Sequence, residues 1–204
     1  MPGTPDPDVE NRDPHGGGAV TIPTLATDRL ILRPLELADA EAAQRLFPHW
    51  EIVRYMNAAI PWPYPPDGAA TFYRTVALPE MAAGKAWHWT LRLKHAPDEM
   101  IGLISLKDGP ENNRGFWIGL PWQRQGLTTE ASQAVTDYWF EGLGRTVLNI
   151  PKAIANLASR RISERSGMRV VQTEMHDMVS GPQPCEVWEI TREEWRRHRA
   201  GQTK

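Results

Sequence analysis

The sequence has one cysteine, Cys185, among 204 residues. A single cysteine excludes an internal disulfide and gives no zinc cluster, and a lone cysteine is more often a small core residue than a nucleophile. The six histidines show no helical or hairpin pairing that is typical of a metal site. We therefore expect Cys185 to be structural, and we expect no bound metal.

Long apolar runs and a strong net charge are also missing. No stretch approaches the roughly 20 apolar residues that span a bilayer, and the amino terminus lacks the basic start and apolar core of a signal peptide. The formal net charge of −2 supplies no global basic field for nucleic acid or an anionic membrane. We expect a cytoplasmic protein that binds neither membrane nor nucleic acid in bulk, and any basic site must be local.

Composition divides the chain into a tail and one domain. Residues 1–20 are rich in proline, glycine and charge and poor in large apolar side chains, so they cannot offset the entropy cost of ordering. An apolar share of 41% in 204 residues suffices for one domain with a real core. We predict a disordered tail over residues 1–20 and a single domain over residues 21–200.

Residues 115–131 read as a strand, a loop and a helix. Residues 115–120 carry two aromatic side chains and Ile118, and Pro121 ends the strand because it cannot donate a ladder hydrogen bond. From Thr129 onward, apolar residues recur at helical spacing until Gly142 and Gly144. The pattern predicts a helix that Thr128 or Thr129 caps.

The loop before this helix has two interpretations. The first turn of a helix leaves backbone N–H groups without partners, and these groups together with the helix dipole attract a phosphate. Gly126 has no Cβ, so a ligand can approach its backbone closely. The alternative is ordinary turn chemistry. The stretch is neither a P-loop nor the three-glycine dinucleotide fingerprint.

Two separate stretches resemble one protein family. Gln123-Arg124-Gln125-Gly126-Leu127-Thr128 resembles the Gln/Arg-x-x-Gly-x-Gly/Ala signature of the GNAT superfamily of acyl-CoA-dependent N-acetyltransferases. Thr128 stands where that family usually has Gly or Ala, so its side chain would either crowd the diphosphate or donate a hydroxyl to it. Residues 27–35, followed by Asp39-Ala40, resemble the opening of the RimJ/RimL-type branch of the superfamily.

Other segments follow from periodicity. Residues 28–35 form a short strand, and Asp39 starts a helix; a second helix over 67–83 is broken or kinked at Pro79. Three strands, over 86–93, 100–106 and 115–120, form an antiparallel meander in which the first is half-buried. The strand over 146–150 follows a helical crossover and should run parallel to the strand at 115–120. The remaining segments are a helix from Asn156 to Ser166 stopped by Gly167, strands near 170–179 and 186–191, and a solvated basic helix over 192–199.

The resemblance implies a fold and a co-substrate. The fold is α+β (mixed α/β), with a central, mostly antiparallel twisted sheet of about six or seven strands, one parallel splayed pair, and about four flanking helices. The co-substrate is acetyl-CoA, which the splayed strands and the loop would hold. The residues implied to bind it are Ile118, Gly119, Leu120, Gln123, Arg124, Gln125, Gly126, Leu127, Thr128, Thr129 and Asn156.

The resemblance also suggests catalytic residues. Ser159, in the Asn-x-x-Ser motif that begins at Asn156, is implied to protonate the departing thiolate; the alternative is a hydroxyl in the first turn of a helix. Relatives often carry a glutamate just before the Gly-Tyr/Phe-Trp of the central strand, but this chain has Asn113-Arg114 there. Glu111, His176 and Asp177 remain as candidate bases, and a water-mediated path is equally open.

The acceptor site is predicted from aromatic residues. Residues 61–66 are too proline-rich for a helix or a central strand, so we predict a loop that either lines a cleft or packs rigidly on the core. Trp62 and Tyr64 from this loop, with Trp87 and Trp89, are the predicted substrate-lining residues. The predicted reaction is direct transfer of an acetyl group from acetyl-CoA to a primary amine, on a protein N-terminus or a small amine. The alternative is a non-catalytic acyl-CoA-binding or regulatory GNAT-like domain, and either protein could be a homodimer.

Overall fold

The computed structural model describes residues 21–202, so the tail predicted over residues 1–20 lies outside the described part. The described chain is mixed α+β, as predicted, and its strands form two antiparallel sheets. The first sheet has the order β1-β2-β3-β4-β5, and the second has the order β6-β8-β7. The strands are β1 Leu25–Ala26, β2 Leu30–Pro34, β3 Ala86–Leu93, β4 Gly102–Lys107, β5 Arg114–Ile118, β6 Val147–Ala153, β7 Arg169–Met178 and β8 Gly181–Thr191.

Two of the helices continue as π-helical turns. Tyr73–Ala77 joins α3 to α4, and Tyr138–Gly142 extends α5. Pro79 explains the first of these, because a proline lacks the N–H of a regular turn and its ring clashes with the carbonyl four residues before it. The helix predicted over 67–83 is therefore interrupted as an α-helix just before Pro79, although the chain stays helical from Gly68 to Ala82. The α-helices are α1 Ala40–Leu46, α2 Trp50–Val53, α3 Gly68–Phe72, α4 Leu78–Ala82, α5 Leu127–Asp137, α6 Leu157–Arg165 and α7 Arg192–Gln202.

Strands β3, β4 and β5 form the predicted antiparallel meander. The prediction that β3 is half-buried is wrong, because every residue from Ala86 to Arg92 is buried. A different element packs on each face of β3. Trp89 packs edge-on against Tyr138 of the π-helical extension of α5, whereas His88 on the opposite face contacts Phe72 of α3.

Helix α5 begins earlier than predicted. Its N-cap is Gly126, which has a left-handed backbone with φ of +77° and provides no side-chain cap. The prediction that Thr128 or Thr129 caps the helix is therefore wrong, because both residues already lie inside it. Its other end agrees with the prediction, since Gly144 takes a φ of +68° just after the π-helical turn.

Strands β5 and β6 lie side by side without forming a ladder, and this is where the predicted splayed pair occurs. The Asn113 N–H donates to the Asn149 carbonyl at 2.8 Å, next to the start of β5. Three residues further along both strands, the Lys152 amine lies 5.1 Å from the centre of the Phe116 ring. The two contacts advance in the same direction along both strands, so β5 and β6 run parallel. A gap opens between them beyond the Asn113 contact.

The carboxyl-terminal part agrees with the predicted order of elements. Helix α6 is capped by Asn156 and is followed by Gly167 with φ of +71°. The prediction that residues 192–199 form only a solvated face is incomplete, because Trp195 of α7 is 1% exposed. Its indole donates to Asp137 at 2.8 Å and its ring lies beside Phe140. Helix α7 therefore packs against the end of α5.

The lone cysteine is a core residue, as predicted. Cys185 on β8 has no exposed surface and lies with Ala153 and Met178 in a small apolar cluster. Its structural role is the packing of β6 against β8.

Residues 21–202 contain no helix with both the length and the apolar character needed to cross a bilayer. Within the same residues, histidine, cysteine, aspartate and glutamate side chains form no group of three that is placed to hold a metal ion.

Candidate active site

The loop before α5 exposes backbone groups at a helix start. Arg124 and Gly126 both have positive φ, of +61° and +77°, and Gly126 is exposed. No side chain of residues 21–202 caps α5, so the N–H groups of Leu127, Thr128 and Thr129 in its first turn are available to a ligand. Such a turn, together with the helix dipole, favours an anion. These features fit the diphosphate of a coenzyme.

The side chains of Gln123 and Gln125 hold this loop in place. Gln123 donates to the Ile118 carbonyl at 3.2 Å, and Gln125 donates to the Pro121 carbonyl at 2.9 Å. Both side chains therefore point back to the protein, and the loop presents its backbone and the exposed Arg124 side chain to a ligand.

Arg29 is a second basic group at the loop, and the sequence reading missed it. Its Nη1 donates to the Gln125 carbonyl at 2.9 Å, and its Nε donates to Glu130 at 2.7 Å. A Cβ placed on Gly126 would lie 3.5 Å from Arg29 Nη2. Thr27 also donates to Glu130, at 2.5 Å. The resemblance of residues 27–35 to the opening of RimJ/RimL-type proteins was the only sequence signal for these contacts.

Glu130 of α5 is ionised in this arrangement. Burial acts to raise its pKa, but the hydrogen bonds from Thr27 and Arg29 outweigh burial and hold the pKa below its ordinary value. An ionised Glu130 keeps the Arg29 guanidinium beside Gly126. The stretch before β2 is thereby tied to the start of α5.

The open edge of β5 supplies further backbone donors. The Gly119 N–H donates to the Ile101 carbonyl at 2.8 Å, so Gly119 faces β4 and its amide is not available to a ligand. Residues alternate in an antiparallel ladder, so the N–H groups of Phe116 and Ile118 point the other way, into the gap beside β6. Of the predicted residues 118–120, Ile118 is therefore the one whose amide faces the gap, whereas Leu120 begins the 3₁₀ turn Leu120–Trp122.

The gap between β5 and β6 contains a cavity of about 160 Å³. Ser159, Asn156, His176 and Asp177, all predicted from sequence, line it together. The Asn156 side-chain oxygen accepts a hydrogen bond from the Ser159 N–H at 3.2 Å, so Asn156 caps helix α6. Glu111 lies exposed in the turn before β5 and outside this cavity, which removes it from the candidate bases.

Lys152 is the residue of this cavity that sequence reasoning did not identify. It is 5% exposed, and its Nζ donates to Ser159 Oγ at 2.6 Å. Burial, followed by repulsion from the Arg114 guanidinium, holds the pKa of Lys152 well below its ordinary value. The Ser159 hydroxyl is therefore paired with an amine that readily loses its proton.

Arg114 contributes to this electrostatic environment from inside the protein. It donates to Thr136 at 2.6 Å and to the Ser132 carbonyl at 3.4 Å, both on α5. Complete burial lowers its pKa to about 10, so it stays charged at neutral pH. The residue that stands where relatives often carry an acid is here a cation, and it lies close enough to repel a proton on Lys152.

A second, larger cavity of about 490 Å³ lies on the His88 face of the first sheet. Its walls are mostly apolar or aromatic, from α1, the loop over 59–65, α3 and β5. Tyr64 lines it and packs edge-on against Phe47, with ring centres 5.2 Å apart. The loop therefore both lines a cleft and packs on the core, so the two alternatives for residues 61–66 hold together.

The other predicted substrate-lining residues lie elsewhere. Trp87 and Trp89 are 3% and 0% exposed, because the period of two along β3 turns them toward α5, away from the cavity. The prediction that they line the substrate site is wrong, and His88 between them lines it instead. Trp62 is 41% exposed, and its ring is tilted against Trp50 with ring centres 5.7 Å apart, outside the cavity wall.

His88 and Tyr73 bring unpaired polar atoms to this cavity wall. Both His88 nitrogens and the Tyr73 hydroxyl are buried without a hydrogen-bond partner within the described structure. Burial is the largest cause that lowers the pKa of His88, to about 4, so its ring is neutral at physiological pH. The cavity therefore presents a mostly apolar wall that carries these uncharged polar groups and the carboxyl group of Asp67.

The two cavities share part of their walls. Met56, Gly115 and Phe116 line both of them. A group held between β5 and β6 would therefore be next to a group bound in the larger cavity.

Comparison with known families decides what this arrangement is. A sequence profile described as the acetyltransferase (GNAT) domain matches residues 29–169, more than half of the chain. The chain belongs to the GNAT acetyltransferase family. Members of this family transfer an acetyl group from acetyl-CoA to an amine, and this GNAT enzyme carries the loop, the splayed strands and the Asn-x-x-Ser motif that the resemblance implied.

Solved structures share the fold of this GNAT enzyme. Mycobacterium smegmatis RimJ in complex with CoA-disulfide is 17% identical, with a TM-score of 0.70 over 87% of this chain and 90% of that chain. The ribosomal-protein-S5-alanine acetyltransferase from Vibrio fischeri is 14% identical, with a TM-score of 0.70 over 85% and 98% of the two chains. RimL in complex with coenzyme A is 15% identical, with a TM-score of 0.67 over 85% and 98%. These structures show that the fold is the one predicted from the RimJ/RimL-type resemblance.

Proposed function

We propose that this GNAT enzyme transfers the acetyl group of acetyl-CoA to a primary amine that reaches the β5–β6 gap from the larger cavity. The observation that carries the proposal is the junction of the two cavities at Met56, Gly115 and Phe116. One side of the junction has the backbone donors and the Ser159 hydroxyl, and the other side has room for an acceptor. A direct attack of the amine on the thioester needs this adjacency.

The residues that would hold acetyl-CoA are backbone groups and one arginine. The N–H groups of Leu127, Thr128 and Thr129 would bind the diphosphate, with Arg29 beside them. The open edges of β5 and β6 would bind the pantetheine arm as an added strand. When bound, acetyl-CoA supplies a thioester carbonyl and a thiolate leaving group.

Two features of the protein would act on the reacting atoms. The N–H groups of Phe116 and Ile118 would donate to the oxygen that becomes negative during attack. Ser159 would give its hydroxyl proton to the departing sulfur, since this hydroxyl lines the cavity in the gap.

The acceptor that fits the larger cavity is a primary amine attached to a bulky, uncharged group. Apolar and aromatic side chains form most of its wall, and the buried His88 beside it is neutral. A volume of about 490 Å³ is enough for a large apolar side chain or an aromatic amine. A protein N-terminus that begins with an apolar residue belongs to this class. A cytoplasmic location and a homodimer stay predictions.

Thiol release in the presence of different amines tests this proposal. The panel contains phenethylamine, tryptamine, a peptide that begins with Phe, a peptide that begins with Asp, and spermidine, each mixed with acetyl-CoA and a thiol reagent. We expect amine-dependent thiol release, with kcat/KM for the aromatic amines about 10-fold or more above spermidine, because burying one aromatic group contributes about 1.5 to 3 kcal/mol.

Two other results would change the conclusion. A kcat/KM for spermidine equal to or above that for the aromatic amines would show that the acceptor is not apolar. Heat of coenzyme A binding without thiol release for any amine would favour the non-catalytic alternative.

A further inference from the structure

We propose that Lys152 takes the proton from the incoming amine and passes a proton through Ser159 to the departing sulfur. This inference rests on the proposed function, and it names the general base that the sequence did not supply. The pair would be one path from the nitrogen that loses a proton to the sulfur that gains one.

Lys152 is close to both parts of the proposed site. Its Nζ lies 2.6 Å from Ser159 Oγ and 5.1 Å from the centre of the Phe116 ring. Phe116 is one of the residues shared by the two cavities. Lys152 is therefore near both the proposed proton donor to sulfur and the wall that adjoins the proposed acceptor site.

The surroundings of Lys152 favour its neutral form, which a base requires. Arg114, from β5, is the charged group that repels a proton on Lys152, and burial acts in the same direction on its pKa. From β7, His176 and Asp177 line the same cavity, as does Tyr55 beyond α2. Lys152 appears in none of the ion pairs of the described residues, so no carboxylate among them lies within ion-pair distance of its amine.

The two bases predicted from sequence are placed less well. His176 Nε2 lies 2.7 Å from Glu174 Oε1, so its ring is already committed to a neighbour on β7. Asp177 is exposed to solvent, and its carbonyl accepts the Ala58 N–H. Neither residue contacts Ser159 within the described hydrogen bonds, whereas Lys152 does so directly.

The proton transfers balance. The acceptor nitrogen forms a bond to the acetyl carbon, the carbon–sulfur bond breaks, and the nitrogen loses one proton to the neutral Lys152 amine. Lys152 then returns a proton to Ser159 Oγ as the Ser159 hydroxyl proton moves to sulfur. The products are the amide and the free thiol, and Lys152 and Ser159 end in the states in which they began.

Lys152→Met, Lys152→Arg, Ser159→Ala and the Met–Ala double variant test the path. Methionine keeps the length of the side chain without a titratable group, and arginine keeps the positive charge but cannot become neutral. We expect a fall in kcat of about 100-fold or more for both Lys152 variants, in line with general base catalysis. The double variant should lose little more than Lys152→Met alone, because residues that act in one path are not additive.

The pH dependence separates catalysis from packing. With a peptide acceptor at saturation, kcat of the wild type should rise with pH as Lys152 becomes neutral, and this rise should be absent in Lys152→Met. Lys94→Met, which changes an exposed lysine, is the matched control and should keep the wild-type rate and profile. Calorimetric binding of coenzyme A to each variant checks that the gap is intact.

The outcomes distinguish this inference from the proposed function. If the wild type releases no thiol with any amine, the proposed function itself fails. If the wild type is active and Lys152→Arg retains more than a third of its kcat, the role of Lys152 is only its charge and the proton path is wrong. A Lys152→Met variant that binds coenzyme A and keeps both the rate and the pH profile also overturns it.

Discussion

Three basic side chains are buried around the site without a carboxylate in hydrogen-bond contact: His88, Arg114 and Lys152. Burial is the largest cause that lowers the pKa of each of them. Groups that lose hydration without a paired charge favour their neutral form. Of the three, His88 is therefore neutral at physiological pH, and the pKa of Lys152 is shifted in the direction that favours its neutral amine.

His88 makes the stability of this enzyme depend on mildly acidic pH. In the unfolded chain His88 takes up a proton near pH 6.5, whereas in the folded protein its pKa is about 4. Between these values the unfolded state binds more protons, so the free energy of unfolding falls as pH is lowered from 6.5 to 4. The loss from His88 should be about 3 kcal/mol, measured by denaturant unfolding at pH 7 and pH 4.

His88→Gln is the variant that isolates this effect, because glutamine is polar but does not titrate. Other groups also titrate in this window, so the quantity to compare is the loss of stability between pH 7 and pH 4 in the two proteins. The loss should be smaller in His88→Gln by about 3 kcal/mol. An equal loss in both proteins would show that folding does not lower the pKa of His88.

Single residues were most readily predictable from sequence where they belong to a spaced motif. Asn156 and Ser159 could be identified because their spacing matches a family pattern and a helix start. Lys152 could not, because a lysine in a strand usually reaches solvent, and its burial results from Phe116 and Ser159 on two other elements. The burial of His88 could not be predicted for a related reason. Its face of β3 is buried because α3 packs on it, and sequence does not show that packing.

Among the elements, the loop before α5 is the one whose backbone carries function. Gly126 takes a φ of +77°, where an L-residue with a Cβ is strained by roughly 1 to 2 kcal/mol. A Cβ at this position would also stand at the helix start where the diphosphate is proposed to bind. Gly126→Ala should therefore lower both the stability and the affinity for coenzyme A.

Gly144→Ala is the matched control for Gly126→Ala. Gly144 has a similar φ of +68°, is exposed, and has open space where a Cβ would lie. Both variants should lose similar stability in urea unfolding. Only Gly126→Ala should raise the calorimetric Kd for coenzyme A, by about 10-fold for each 1.4 kcal/mol lost. A normal Kd for Gly126→Ala would remove the loop from the coenzyme site.

The order of the helices and strands could be predicted from sequence. Where each one ends, and which element packs on each face, could not. The meander, the crossover to β6 and the capped α6 were predicted from turns and period. The start of α5 was placed at Thr128 or Thr129 because threonine caps helices well, but Gly126 begins it with a left-handed residue instead. Periodicity reports which residues share a face, and it does not report which second element packs on that face.

At the level of the whole molecule, the two sheets share one core but separate at the site. Leu148 and Ile150 of β6 belong to the same apolar cluster as Leu103 and Ile104 of β4. Against this common packing, β5 and β6 remain unpaired beyond Asn113. The resemblance implied this splayed arrangement, and periodicity alone could not have shown it. The distance between the strands therefore depends on the contacts at their shared beginning.

Asn113 makes those contacts. Its Oδ1 accepts the Asn149 N–H at 2.8 Å, and its Nδ2 donates to the carbonyls of Lys107 and Gly109 at 3.2 Å and 2.7 Å. The residue is 2% exposed, so Asn113→Ala would leave these groups without partners inside the protein. Each unsatisfied buried group costs about 1 to 3 kcal/mol.

Asn113→Ala should therefore lower the free energy of unfolding by at least about 1 kcal/mol, and it should also weaken coenzyme A binding. The second effect is expected because the strands that would hold the pantetheine arm lose the side-chain contact that sets their spacing. Gln172→Ala, which removes an exposed amide paired only with Glu174, is the control and should change neither quantity measurably. The two measurements are denaturant unfolding and calorimetry with coenzyme A. A destabilised Asn113→Ala protein with unchanged affinity would show that the gap keeps its width without this contact, because the shared core alone then fixes the two sheets.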